Sequence, residues 1–173
     1  NLYITNCTFS SNSAQKYGGA IKAPYNENYD ILALNRFKNN SAASGNDLSS
    51  EVFSFSCLDS QNASIFPSIA IYPGVKFTVT CQIFDAYKQS LIFDQTGIFL
   101  ISFNESSVKA AHQTAEISNG FGVFNELAVI ALPGSHHPAN LSFSTPFQNI
   151  YYSLNLHFLP CKRGEIFLNM QCL

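Results

Sequence analysis

The chain has 173 residues and a formal net charge of −2, and its nine scattered Lys and Arg make a poor phosphate-binding surface, which argues against nucleic acid as a partner. A hydrophobic content of 46%, with 16 Phe and 8 Tyr, supplies a core and argues against disorder. No apolar run reaches the roughly 20 residues that a membrane-crossing helix needs.

Asn1 is no initiator Met, no signal-peptide pattern follows it, and the last residues open a cysteine motif. A piece of a longer chain is therefore expected. Five cysteines (Cys7, Cys57, Cys81, Cys161 and Cys172) leave at least one free or paired outside the segment. Five Asn-x-Ser/Thr sequons, at Asn6, Asn39, Asn62, Asn104 and Asn140, are candidate glycosylation sites. With the frequent Cys and few charges, they point to an oxidising, secretory compartment.

In the first third, short β-rich stretches run from Leu2 to Phe9, Ile31 to Phe37 and Val52 to Cys57. Phe9-Ser10-Ser11-Asn12-Ser13-Ala14 recurs as Phe37-Lys38-Asn39-Asn40-Ser41-Ala42, an offset of 28 residues (37 − 9). Each copy runs on to glycine, as Gly18-Gly19-Ala20-Ile21 and as Gly45-Asn46-Asp47-Leu48. A period of about 20–30 residues suits one coil of a parallel β-helix, with Phe and Ile inside and Asn and Gly at left-handed corners. Asn at the same place in successive coils can form a hydrogen-bonded ladder, and Gly18-Gly19 marks a corner that tolerates no Cβ. Ordinary turns in an antiparallel sheet are the alternative.

Phe-x-x-Asn-x-Ala followed by Gly-Gly-Ala-Ile resembles the repeats of polymorphic outer-membrane proteins. It also resembles pectin-lyase-like right-handed β-helices of large protist surface proteins. The resemblance covers about 58 residues and implies the final coils of a β-helix, with more coils upstream because two cannot bury both their ends. Sugar-cleaving β-helices gather carboxylates and a basic residue on one face. Here Glu27, Asp30, Asp47 and Glu51 are scattered, and no such site is expected.

From Ile65 the period changes to two. Val75, Phe77, Val79, Cys81 and Ile83 fall on one face, and Lys76, Thr78, Thr80 and Gln82 on the other. Further strands are predicted at Leu91 to Phe93, Gly97 to Phe103, Gln113 to Ile117, Gly122 to Leu132, Leu141 to Ser144 and Ile150 to Leu159, broken by turn signals such as Pro73-Gly74 and Pro133-Gly134. Such spacing predicts a sandwich; Val108 to Glu116 comes nearest to a helical stripe. Ile71-Tyr72-Pro73-Gly74, Phe77-Thr78-Val79, the loop acid Asp85 and the Gly120-to-Leu127 stretch resemble immunoglobulin-like repeats of extracellular adhesion proteins, including bacterial Ig-like and filamin-like kinds. That resemblance makes Phe124 and Leu127 core residues. The absence of Trp and of an antibody-spaced Cys pair limits it to architecture.

Cys161-Lys162-Arg163-Gly164-Glu165-Ile166 with Cys172 resembles the opening of a growth-factor-receptor-like or EGF-like Cys-rich module. Cys161 can pair with Cys172 or with cysteines further on, and Cys57 can reach Cys81; spacing leaves both open. Zinc fails for want of a second ligand pair. His136-His137, bounded by Pro133 and Pro138, reads as a solvated loop rather than a metal or catalytic pair, and Cys81, with His112 or His157 as base, reads as a buried thiol or disulfide rather than a nucleophile. A calcium site of Asp85 and Asp94 lacks a clustered acidic pattern.

The expectation is thus an all-β chain, with the C-terminal coils of a right-handed parallel β-helix (1–58), an Ig-like antiparallel β-sandwich (59–160) and the start of a Cys-rich module (161–173). No catalytic, cofactor or metal site is expected. The role expected is a non-catalytic structural or adhesive segment of a larger secreted or cell-surface protein. Its partners would be neighbouring modules of the same chain, a homo-oligomer, or a glycan or cell-surface ligand. A self-assembling filament subunit, or a polysaccharide-binding or -degrading protein with its site upstream, are the alternatives.

Overall fold

The computed structural model describes residues 4–23, 34–92, 96–168 and 171–172. It is all-β and divides into two compact units, Asn1–Phe55 with Ile83–Asp94, and Ser56–Gln82 with Gln95–Leu173. The segment 83–94, read from the sequence as part of the middle module, therefore groups with the first residues of the chain.

The first unit is built from the repeat. Strands β1 (Thr8–Ser10) and β3 (Arg36–Lys38) pair in parallel with Phe9 opposite Phe37, at the 28-residue offset seen in the sequence. Their rings stack at 5.3 Å. β2 (Ile21–Ala23) and β4 (Leu48–Ser50) also pair in parallel, with Ile21 opposite Leu48 and hence a spacing of 27 (48 − 21). The second copy loses its one residue between the bridges Ser13–Ser41 and Tyr17–Ser44. Asn12 and Asn40 form the expected ladder: Asn40 Oδ1 accepts from the Asn12 amide at 3.0 Å and from its Nδ2 at 2.9 Å. Gly19 sits where a Cβ would fall onto the carbonyl oxygens of Asn46 and Ser41, so the corner admits glycine alone.

The second unit is ordered by period-two burial. Its strands are β6 (Ser68–Ile71), β8 (Ile98–Phe103), β9 (Lys109–Ala111), β10 (Thr114–Ser118), β11 (Phe121–Ile130), β12 (His136–Ser144), β13 (Asn149–Phe158), β14 (Phe167–Leu168) and β15 (Gln171–Cys172). Two more, β5 (Val52–Asp59) and β7 (Lys76–Asp85), each run across a unit boundary. A nine-stranded sheet follows the order β5-β7-β11-β10-β8-β12-β13-β6, with β9 alongside β11. It is one continuous, curled path, because β10 pairs with β8 through Thr114–Glu116 and with β11 through Ile117–Ser118. Two separate sheets were expected. Its core carries Phe99 between Phe124 and Phe143, at ring distances of 6.4 and 4.9 Å. The void beside Ile65, Val79 and Leu154 is only about 10 Å³, too small for a ligand.

Three sequence expectations need correction. Val75 lies before β7 and is 55% exposed, while Val79, Cys81 and Ile83 are buried. The stretch Val108 to Glu116, nearest to a helical stripe in the sequence, holds β9 and the start of β10, the latter within the strand predicted at Gln113 to Ile117. Leu91 is buried but outside any strand, and Phe93 lies outside the described residues. Finally, β12 begins at His136 rather than Leu141, so His136 and His137 are strand residues and not a loop. Pro138 argued against that start, but pairing with β8 begins only at Ala139, and a missing N–H beyond it costs no bond on that side.

Candidate functional site

The most constructed polar cluster in the first unit closes the coil stack. The hairpin tip after β7 folds over β4, and Asp85, fully buried, receives four N–H groups. The amides of Tyr87 and Gln89 donate to Oδ1 at 2.9 Å each; the Ser50 amide and Gln89 Nε2 donate to Oδ2 at 3.2 Å. Gln89 Nε2 also donates to the Leu48 carbonyl at 2.9 Å, and the Ala86 amide to Ser50 Oγ at 2.8 Å. In a parallel ladder the outward N–H of Ser50 and C=O of Leu48 are the groups a following coil would use. Side chains of the tip take them instead, which ends the edge without another strand. Burial first, and the Asp85 carboxylate second, push the Tyr87 phenol above its ordinary value.

This cluster disposes of Asp85 as a calcium ligand, since its oxygens are already occupied by N–H donors; Asp94 lies outside the described residues. Of the scattered acids, Asp47 Oδ1 accepts from Asn40 Nδ2 at 2.9 Å and Glu51 pairs with Lys22 at the surface. Glu27 and Asp30 lie outside the described residues. At the other end of the coils, a groove of about 320 Å³ runs past Asn6, Cys7, Thr8, Asn35 and Arg36. The Cys7 amide donates to Asn35 Oδ1 at 2.9 Å, the same relation that Asn12 has to Asn40.

In the second unit, sequence reasoning missed a carboxylate–imidazole–hydroxyl chain. His137 Nδ1 lies 2.6 Å from Glu105 Oε2, and Nε2 lies 2.9 Å from Ser135 Oγ. The components match a nucleophile, base and orienting acid. The surroundings differ from such a site: Ser135 Oγ is also bonded to the Leu132 carbonyl, and the Gly134 and Ser135 amides donate to Phe158 O and Leu132 O rather than standing free for an oxyanion. The chain braces the loop after β8 against the turn before β12, with His137 set edge-on against Phe158. No local signal could have revealed it, because Glu105 stands 32 residues from His137.

Two disulfides are present, Cys57–Cys81 between β5 and β7 and Cys161–Cys172 in the tail. Cys81, fully buried and bonded, has no thiol to act as a nucleophile, and His157 stands against His136 instead. His112 is exposed. Cys7 is exposed and free. Among the sequons, Asn6, Asn39, Asn62 and Asn104 are exposed, whereas Asn140 is half-buried mid-strand between Ser102 of β8 and Ser153 of β13. Among the described residues no three His, Cys, Asp or Glu gather in a way that could hold a metal.

Residues 6–24 match the Chlamydia polymorphic membrane protein (Chlamydia_PMP) repeat. No curated protein matches the chain. Among solved structures it is similar to the crystal structure of domains 4 and 5 of the S-layer protein SbsC, at 10% identity and a TM-score of 0.36, over 68% of this chain. The chain spans about half of that structure's length, 48%.

Proposed function

We propose that the chain is a non-catalytic structural or adhesive segment of a larger secreted or cell-surface protein. Residues 1–58 form end coils of a right-handed parallel β-helix, 59–160 an Ig-like module, and 161–173 the opening of a Cys-rich one. The observation that carries this is the in-register parallel stacking of the two repeat copies, finished on one side by the Asp85 tip. The repeat match over residues 6–24 supports a surface location, and the two disulfides support an oxidising compartment. Such a segment works by being stiff and by displaying surface.

Antibody raised against the chain should label intact, unpermeabilised cells of its source; labelling seen only after permeabilisation would refute the location. Incubation with acidic and neutral glycans should release no product, and chain-dependent release would refute the non-catalytic role. A filament subunit is the second reading, since in-register parallel coils such as β1 on β3 are built by edge addition, which another copy could supply as readily as the same chain. Light scattering that rises with concentration selects the filament, and a monomer at all concentrations rejects it.

A further inference from the structure

The outer face of β12 and β13 carries a feature that neither the repeat nor the core requires. The turn at Thr145–Gln148 starts an unbroken ladder, from Ser144 opposite Asn149 to His136 opposite His157. With no bulge between, the register sets the two imidazoles side by side, with ring centres 4.1 Å apart and planes within 17°. His136 is exposed and His157 half-buried, and neither ring has a hydrogen-bond or ion-pair partner among the described residues. Their neighbours by register on that face, Pro138, Asn155 and Ala70, carry no charge.

The geometry points to a two-imidazole chelate for a divalent first-row transition cation. Two nitrogens bound to one ion stand at most about 4.2 Å apart, twice a metal–nitrogen bond of about 2.1 Å. The ring centres stand 4.1 Å apart, so a tilt of the two rings toward each other on the exposed face brings one nitrogen of each within that span of a shared ion. Neutral imidazole suits Ni²⁺, Cu²⁺ and Zn²⁺, while an all-nitrogen pair without carboxylate is a poor host for Ca²⁺ or Mg²⁺. No third His, Cys, Asp or Glu joins the pair among the described residues, so water fills the remaining positions. His137 takes no part, because adjacent strand residues face opposite sides and its nitrogens are engaged by Glu105 and Ser135.

The test is a Ni²⁺ titration of the full chain carrying Cys7→Ser, which removes the exposed thiol as a competing ligand. Calorimetry should give one saturable site, weakened at least tenfold by His136→Gln or His157→Gln and unchanged by His112→Asn. A second measurement needs no histidine variant. Paramagnetic broadening of NMR signals should centre on residues 136 and 157, while Ca²⁺ produces no shifts there. Absence of saturable binding, affinity indifferent to both substitutions, or broadening centred elsewhere would each overturn the site.

Discussion

At the residue scale the chain uses single side chains to replace missing backbone partners. Asn40 does so within the stack, Asp85 and Gln89 at its closed edge. The Asn ladder was legible because its two members repeat at one spacing and their hydrogen bonds span that same 28 residues. Asp85 was not legible as a cap: its partner Ser50 is 35 residues away, and an acid after a strand reads as an ordinary loop residue. Asp85→Asn keeps an acceptor for Tyr87 and Gln89 but turns an amide donor toward Ser50 N–H and Gln89 Nε2. The expected cost is about 2–3 kcal/mol, measured by urea unfolding, because buried donors then lose their acceptor. A result within error of the parent would deny the cap its role. Tyr87 adds a pH dependence. Its phenol binds the proton more tightly when folded than when unfolded, where it ionises near 10.0. The stability this confers is therefore intact below pH 10 and lost as pH rises through the raised folded value. Urea midpoints at about pH 9 and about pH 11 should fall less in Tyr87→Phe than in the parent.

At the element scale, alternation located most strands and assigned their faces; β7 buries Val79, Cys81, Ile83 and Asp85 in strict sequence. Where it misled, a local irregularity or a distant neighbour decided. Phe124 and Leu127 are three apart and yet both buried, because the register shifts between them and Glu126 adopts φ 55°. The origin of β12 was hidden by Pro138, whose position past the β8 pairing only the full sheet reveals. The disulfides test how elements share stability. Cys57–Cys81 encloses 24 residues of sequence separation and ties β5 to β7 in the nine-stranded sheet. Replacing both by Ser should cost about 3–4 kcal/mol in the chain-entropy picture. Cys161–Cys172 encloses β14 and β15, which among the described strands pair with each other and with no third. Its removal should free the tail to protease while shifting the main thermal transition by no more than about 2 °C. Equal losses from the two replacements would mean that the tail is part of the main cooperative unit.

For the whole molecule, the sequence showed that the period changes from coil-length to two, but not that residues 83–94 return to the coils after the change. Contact between segments so far apart leaves no trace in local pattern, since the tip's polar residues look alike whether solvated or buried against β4. The chain leaves the first unit within β5 and comes back to it within β7, so the coil stack is finished by residues that follow three of the sheet's nine strands in sequence. Because a stack of two coils has little core of its own, its persistence should depend on that return. Replacing Ala86–Ser90 with a two-residue Asn-Gly turn removes the Gln89 contacts to Leu48 and Asp85, the Ala86 contact to Ser50 and the Ser90 contact to Ser44. Amide hydrogen exchange should then rise at least tenfold across β1 to β4, while β8, β12 and β13, whose core holds Phe99, Phe143 and Phe158, keep their protection. Uniform loss of protection throughout would show that the tip supports one cooperative whole, and unchanged coils would show that β1 to β4 stand without a cap.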